Sequence, residues 1–574
     1  MSIASLPSQF RVLARRFAGA DKGNVATMFA IAILPLLGLV GAAVDYSRVS
    51  SARSTMQAAL DSTALMLSKD LASGTISESQ ITAKARDYFG ALYTNKEATT
   101  APITTTYTPS GPMGSTIKVD GSGSLPTNFM RVLGSNFGNI NFNTSSTTAW
   151  GNVRMRVAMA LDNTGSMASD GKIGALQTAA KSLIDQLSGL AKNPGDIYVS
   201  IIPFAKTVNV GSSKYAETWI DWRDWENPPT QQQVVSVSLP SNWSKVGPGS
   251  DCPFTNNNDG FSCQVNPTNA SSTTSSVPSS GTYAGYICPT VDANSHTLYN
   301  GCWNSVATGS TANYSTGTWA NCNGANDSCT CTGSNSSKVC TVSTYNHTWI
   351  ANARSTWTGC IADRNQDYDT KNTTPTLTTI DTLFPANQYY ENNEAYCKTG
   401  NSPPLQPIVP LSYDWTALKS AIDAMKPTGG TNQGIGLAWA WQSLMSGAPL
   451  SAPDEDPNYT YKKAIILLSD GLNTENRWPA NGNGQTQFNG AIDARQKIMC
   501  DNIKAAKDPK TNQPAYTIYT IQVNTSTNDP DPVSTVLQNC ASAPENFFHI
   551  RSATQTVTAF TSIGNSLSKL RVAR

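Results

Sequence analysis

The sequence predicts an α/β chain with one N-terminal transmembrane helix, a small α+β module, and a doubly wound, mostly parallel sheet interrupted by a long disulfide-rich insertion. Three observations carry this expectation. Val25 to Val44 reads VATMFAIAILPLLGLVGAAV, twenty residues without a charge, about the length a helix needs to cross the hydrocarbon core of a bilayer. In the second half, apolar runs of strand length alternate with segments of helical periodicity, the pattern of a parallel sheet covered by helices on both faces. Ten of the twelve cysteines fall between Cys252 and Cys397, in a stretch dominated by Ser, Thr, Asn and Gly.

The composition narrows the function. The chain has 574 residues, 40 Lys and Arg against 39 Asp and Glu, a formal net charge of +1, and 14% charged residues, well under the roughly one-quarter usual in globular proteins. A nucleic-acid partner would need a basic surface, which this balance does not supply. Part of the charge deficit is local: positions 241–350 hold six charged residues in 110, namely Lys245, Asp251, Asp259, Asp292, Asp327 and Lys338. Such a segment is not expected to build a large apolar core or regular elements. Its cysteines read as disulfide staples in an oxidising compartment. Zinc would favour Cys-x2-Cys pairs, whereas the tightest spacing is Cys329-Thr330-Cys331. The pairing pattern is left open by the residues themselves.

Taken in order, residues 1–24 form a cytoplasmic tail with Arg11, Arg15, Arg16 and Lys22, and 25–44 form the anchor. The 24 residues beyond the span carry two basic residues, Arg48 and Arg53, so the charge bias places the N-terminus in the cytoplasm and the rest outside. The disulfide argument independently exports residues 45–574. A cleaved signal peptide is the alternative, with Gly41-Ala42-Ala43 near the cut, but the apolar run exceeds the roughly 7–15 residues of a signal core. Pro35 is tolerable inside a membrane helix. Residues 45–151 form a module: Met56, Leu60, Ala64, Leu67 and Leu71 at helical spacing predict an amphipathic helix over 46–72, followed by short strands at Ser115–Gly121 and Ile140–Trp150.

Lys22-Gly23-Asn24-Val25-Ala26, the span with Pro35, Asp45-Tyr46-Ser47-Arg48 and Gln57-Ala58-Ala59-Leu60-Asp61 resemble, over about residues 15–70, the N-terminal region of TadE/TadG-like Flp pilus-assembly proteins. Met28 stands where a type IV prepilin processing site would place Glu, which suits an assembly component better than a pilin subunit. The resemblance implies a single-pass protein of the bacterial inner membrane, with the bulk of the chain in the periplasm or beyond.

Residues 152–574 carry the alternating pattern. Strands are expected at Arg156–Leu161, Ile197–Phe204, Ala464–Ser469, Tyr516–Val523 and Phe547–Ile550, with helices at Ile173–Leu190, Asp414–Met425, Gln433–Leu444, Ala491–Ala506 and Pro532–Cys540. Ligands on such sheets bind outside the carboxyl ends of the strands, and three such ends carry oxygen donors. The first strand runs into Asp162-Asn163-Thr164-Gly165-Ser166; Thr428-Gly429-Gly430-Thr431-Asn432 opens a helix; and Ile465–Leu468 ends in Ser469-Asp470-Gly471. Two carboxylates with hydroxyls suit a hard divalent cation such as Mg2+, which keeps waters and takes few protein carboxylates. Singly, each motif also reads as a helix cap or turn.

Together they resemble the metal-ion-dependent adhesion site of von Willebrand factor type A domains, Asp-x-Ser-x-Ser followed by a distant Thr and a distant Asp. The resemblance, over about 152–210 and 405–574, implies a von Willebrand factor A-like fold and a divalent cation, Mg2+ first, held by Asp162, Thr164, Ser166, Thr431 and Asp470. Thr164 replaces the first Ser and keeps its hydroxyl. Such a centre leaves a position that a partner carboxylate could fill. Positions of about 210–404 then form an insertion within this domain. Gly359-Cys360, Arg364, Phe384-Pro385, Cys397 and Pro410-Leu411, with Cys500 and Cys540-Ala541-Ser542, resemble TadG-like proteins, which implies Cys360–Cys397 and Cys500–Cys540 disulfides. Asp363-x-Asn365-x-Asp367-x-Asp369 lacks the Gly and Glu of a calcium loop and reads as a solvated acidic loop.

Enzyme classes fare poorly. The three histidines, His296, His347 and His549, supply no obvious base beside a nucleophile, and neither a phosphate loop nor a zinc helix occurs. The expected role is non-enzymatic: a membrane-anchored extracytoplasmic binding protein assisting Flp/Tad pilus assembly or anchoring by metal-dependent contact with pilus-assembly or surface proteins. A surface adhesin using the Cys-rich insertion is the second class. A metal-dependent hydrolase using Asp162 and Asp470 is the third.

Overall fold

The structure is a computed structural model that describes residues 24–572 apart from 74, 112–113, 151–152, 192, 232, 234–237, 255–273, 289–300, 314–328, 335–338, 388–389, 392–393, 398–403, 458, 483–489 and 526–531. The stretch 1–23, read above as a cytoplasmic tail, lies outside the described residues. The chain divides into two compact units between residues 152 and 153.

The first unit begins with a single helix, α1 (Asn24–Ser73), fifty residues long with Pro35 inside it. Its two halves differ in surroundings. Phe29, Ile31, Leu36, Leu39 and Val40 are between 55% and 74% exposed, whereas Met56, Leu60, Ala64 and Leu67 are fully buried. The expected amphipathic helix is therefore continuous with the apolar span. By length and composition α1 is able to cross a membrane. The buried half packs with α2 (Ile81–Leu92) on a sheet of β1 (Thr104–Gly111), β2 (Gly114–Pro126) and β3 (Asn139–Trp150), with β2 in the middle of the antiparallel set. Ile81, Ala85, Phe89, Ile117, Val119, Leu125 and Phe142 complete this core. Each such burial contributes about 1.5–3 kcal/mol for a large side chain. Both expected strands are present but longer, and β1 is an additional one that its Thr run disguises. At the head of the packed half, Asp45 is 1% exposed and accepts the N–H groups of Asn128, Phe129 and Met130 at 2.8–2.9 Å. Arg48 reaches both Asp45 and Glu97.

In the second unit the parallel strands are β4 (Val153–Asp162), β5 (Ile197–Phe204), β10 (Thr460–Ser469), β11 (Tyr516–Val523) and β12 (Phe547–Ile550), reached after the insertion strands β6 (Gly301–Asn313), β7 (Cys329–Thr332) and β8 (Val339–Ala351) and after β9 (Val409–Ser412). In space the order is β9-β5-β4-β10-β11-β12, all parallel except β9. The connections after β4 run to one side and those after β10 to the other, so β4 and β10 flank a topological switch point. This is the expected doubly wound, mostly parallel sheet.

Alternation along the strands fills two cores. Met155, Val157, Met159 and Leu161 face α3 (Lys172–Leu190), α4 (Trp415–Asp423) and α8 (Ala553–Val572). Ala158 and Ala160 face α5 (Gln433–Ser443), α6 (Ala491–Ala505) and α7 (Thr535–Cys540). Strands buried on both faces read as continuous apolar runs, which is why they were visible in the sequence. Helix α5 is buried on nearly every side. At Gly436 an added Cβ would lie 2.4 Å from the Phe204 ring, so glycine is what lets α5 approach β5.

The insertion departs from expectation. Two of its strands, β6 and β8, are thirteen residues each, and with β7 and Tyr286–Ile287 they form a four-stranded antiparallel sheet. Val246, Phe254, Val277, Ile287 and Trp303 give it a small core of its own. The local reason is the Thr, Val, Tyr and Trp content of these segments, residues that suit a pleated, half-buried surface. Cys288–Cys302 and Cys331–Cys340 disulfides staple the sheet. Val208–Asn209, just ahead of the insertion, extends the main sheet beyond β5, and Cys360–Ile361, Phe384–Asn387 and Ile220–Asp221 within the insertion continue it.

Candidate metal centre

Leu161 pairs with Leu468 in the register of β4 and β10, so the next residues, Asp162 and Ser469, leave the sheet side by side at the switch point. After Asp162 the chain turns through Gly165–Ala168 and enters α3 by way of Asp170 and Gly171, both with positive φ. The tight turn returns the hydroxyls of Thr164 and Ser166 to the strand end.

The result is a closed relay of oxygens. Asp162 accepts the Thr164 N–H at 2.8 Å on Oδ1 and the Ser469 hydroxyl at 2.6 Å on Oδ2. The Thr164 and Ser166 hydroxyls are 3.0 Å apart, and Ser166 donates to Asp470 Oδ1 at 2.7 Å. Asp470 Oδ2 receives Lys172 Nζ at 2.8 Å. Asp162 is 0% and Asp470 1% exposed, while Gly165 and Ser166 are exposed, so the buried carboxylates lie next to a turn that reaches the surface. Burial first, and the Asp470 charge second, push the Asp162 carboxyl up to about 7, against the hydrogen bonds from Ser469 and Thr164 that pull it down. Two acids buried this close call for compensating positive charge.

Thr431 is held through its backbone. Its N–H donates to Thr474 Oγ1 at 2.9 Å, and its carbonyl accepts from Thr474 and Glu475 N–H groups just beyond Asp470. Gly429, with φ +75°, accepts the Gly165 N–H at 2.9 Å, tying this loop to the first. Asn163 adds two more ties: its carbonyl accepts the Thr428 N–H and its Nδ2 donates to the Lys426 carbonyl. Asn432 caps α5 by accepting the Ile435 N–H. Asp162, Thr164, Ser166 and Asp470 thus form one hydrogen-bonded set, whereas Thr431 is tied by main chain to Thr474 and Glu475 and makes no hydrogen bond to the set. Cys360 is bonded to Cys397 and Cys500 to Cys540.

The donor chemistry fits a hard divalent ion: two carboxylates and three hydroxyl side chains, all oxygen. Among the described residues no group of three or more His, Cys, Asp or Glu gathers, here or elsewhere; this set has two carboxylates and depends on hydroxyls for the rest.

The acidic run at 363–369 corrects a sequence expectation. Asp363 accepts from Asn432 Nδ2 at 2.9 Å and from the Arg477 N–H at 3.1 Å, and burial pushes its carboxyl up to about 6. Asp369 is buried and paired with Arg495 at 2.5 Å. Asp363 is held at the Thr428–Asn432 loop and Asp369 is buried, matched by arginines more than a hundred residues away, while Asp367 remains 68% exposed, as a solvated loop would leave it. Lys172, Asp363 and Tyr396, whose hydroxyl donates to the Thr428 carbonyl at 2.5 Å, are site residues that sequence reasoning missed. Tyr396 had one signal: it precedes a cysteine.

Residues 23–66 match the model of the family described as putative Flp pilus-assembly TadE/G-like. No curated protein matches the chain. Among solved structures, the chain is similar to the pilus adhesin SpaC from Lactobacillus rhamnosus GG, with a TM-score of 0.28 and 10% identity over 83% of this chain and 35% of that one. It is also similar to the vWF domain of the type V pili tip protein Mfa5 from Porphyromonas gingivalis (TM-score 0.29, 9% identity, 74% of this chain and 98% of that one). A third is proximal thread matrix protein 1 from the mussel byssus, solved with a zinc-occupied MIDAS motif (TM-score 0.24, 11% identity, 74% and 46%). The chain spans about a third of the length of the first of these. Over residues 23–66, this chain carries a putative Flp pilus-assembly TadE/G-like segment.

Proposed function

We propose that this chain is a membrane-anchored, extracytoplasmic component of a Flp/Tad-type pilus system that binds a protein partner through a divalent cation, Mg2+ first. The observation that carries the cation is the set Asp162, Thr164, Ser166 and Asp470, joined by hydrogen bonds at the switch point and exposed at Ser166. Asp162 and Asp470 supply charge, Thr164, Ser166 and Thr431 supply hydroxyls, and the buried floor excludes bulk water from the acids. A bound cation would offer an open coordination position to a partner carboxylate. The anchor rests on the TadE/G-like match and on the exposed apolar half of α1. That helix would place the N-terminus in the cytoplasm and the larger unit across the inner membrane, where the disulfides persist.

The role is binding, not turnover. His347 is engaged with the Val246 carbonyl at 2.6 Å and His549 belongs to β12, so neither stands at the oxygen set. Detergent-solubilised full-length protein should retain pilus-assembly components in Mg2+, and lose them with EDTA or in Asp162→Ala. Retention unaffected by both would remove the cation mechanism.

The insertion supports a second reading, surface adhesion. Its sheet has a separate small core and exposes Val306 and Ile350 at 52% and 42%. Deleting about 241–351 should abolish attachment and spare pilus assembly if this reading holds.

A further inference from the structure

Resting on the cation reading above, we infer that Lys172 is the resident counter-ion of the site and lowers its cation affinity by competing for Asp470. Lys172 is the first residue of α3, set there by the left-handed Gly171 at φ +68°. Its side chain is 10% exposed and its ammonium lies 2.8 Å from Asp470 Oδ2 and 3.5 Å from the Ser166 carbonyl. Lysine is almost never buried unless paired, and the first turn of a helix is the unfavourable end for a cation. The helix therefore gives no reason for this ammonium to be buried; the Asp470 carboxylate does.

The two acids are thus treated differently. Asp162 is held by the neutral donors Thr164 and Ser469, whereas Asp470 is already matched by a full positive charge. An ion drawn to Asp470 meets that ammonium within a few ångströms, in a setting where water screens little. Cation binding becomes an exchange in which Asp470 passes from Lys172 to the metal and the lysine is released from its buried pairing. The exchange makes the site weaker, and more readily reversed, than its two carboxylates alone would be.

The test uses full-length protein in detergent, titrated with MgCl2 and MnCl2 by calorimetry at one fixed pH. Lys172→Met should bind at least about tenfold more tightly than wild type, Lys172→Arg should stay near wild type, and Asp162→Ala should not bind. Wild-type binding that Asp162→Ala abolishes but Lys172→Met leaves equal or weaker overturns this inference and spares the cation reading. No binding by wild type or Lys172→Met at about 10 mM, above the millimolar range of weak sites, overturns both. A second measurement needs no variant. Acylation of Lys172 in wild type, followed by mass spectrometry against the other lysines, should speed up on adding Mg2+; a rate unchanged in protein shown to bind the ion overturns the exchange.

Discussion

Asp162 is the residue whose chemistry most depends on what binds beside it. Its carboxyl is raised from an ordinary 3.8 to about 7, so folding favours the protonated acid. Stability from this group is fully present below about 4 and is lost as the pH climbs through the folded value, because the native state then holds the extra proton. Urea midpoints of the cation-free protein should therefore fall over that window. Asp162→Asn should flatten the slope, and saturating Mg2+ should reverse it; a midpoint rising with pH in EDTA would contradict the burial argument. Gly436→Ala is a purely steric case: its new Cβ would meet Phe204 at 2.4 Å, and overpacking of this kind costs about 1–3 kcal/mol, readable as a lower melting temperature with cation affinity little changed. That Asp162, Thr164, Ser166 and Asp470 come together was legible because all four follow apolar strand ends, and the structure joins them by hydrogen bonds. Lys172 was not, since a lysine opening an amphipathic helix looks the same in sequence whether it faces water or a buried acid 298 residues away.

Among the elements, the loop from Thr428 to Asn432 is held from two sides by the segments that the Cys360–Cys397 disulfide joins. Tyr396 donates to the Thr428 carbonyl, and Asp363 accepts from Asn432. Tyr396→Phe should therefore weaken cation binding several-fold, in line with supporting groups at metal sites, with the fold intact by circular dichroism. An unchanged affinity would mean that Gly429 holds its turn without help. The Cys500–Cys540 bond links α6 to α7 across a separation of 40 residues, and Cys500→Ser with Cys540→Ser should cost about 2–4 kcal/mol in denaturant melts without moving the cation affinity. Three strands of the parallel sheet match their expected bounds, since burial on both faces leaves unbroken apolar runs, whereas β4 and β10 start at Val153 and Thr460, ahead of the expected Arg156 and Ala464, because polar residues there mask the strand. The insertion sheet was not. Its polar composition hides a core made of a few scattered aromatics, and its pairings are set by staples and partner strands distant in sequence.

For the whole molecule, the two halves of α1 set the terms of association. The apolar half, exposed at Phe29, Ile31, Leu36 and Leu39, should keep the full chain in the membrane fraction after alkaline carbonate washing. Leu36→Lys with Leu39→Lys should move it to the soluble fraction, since each charge costs about 2.5–3.5 kcal/mol at mid-bilayer. A wash-resistant double variant would mean that something other than this span retains the protein. The span itself was the easiest feature to read, because length and lack of charge define it. Its continuation as an amphipathic helix over 46–72 was legible too, from the spacing of Met56, Leu60, Ala64 and Leu67; what that helix packs on was not, because the partner strands are distant in sequence. This continuity has a mechanical consequence. Fifty residues of one helix make a rod about 75 Å long at 1.5 Å per residue, gripped along its second half by a sheet and, where that half begins, by the Asp45 carboxylate. If its near end is fixed in lipid, a pull on the packed half reaches the membrane through continuous helix, with no flexible linker to take up slack.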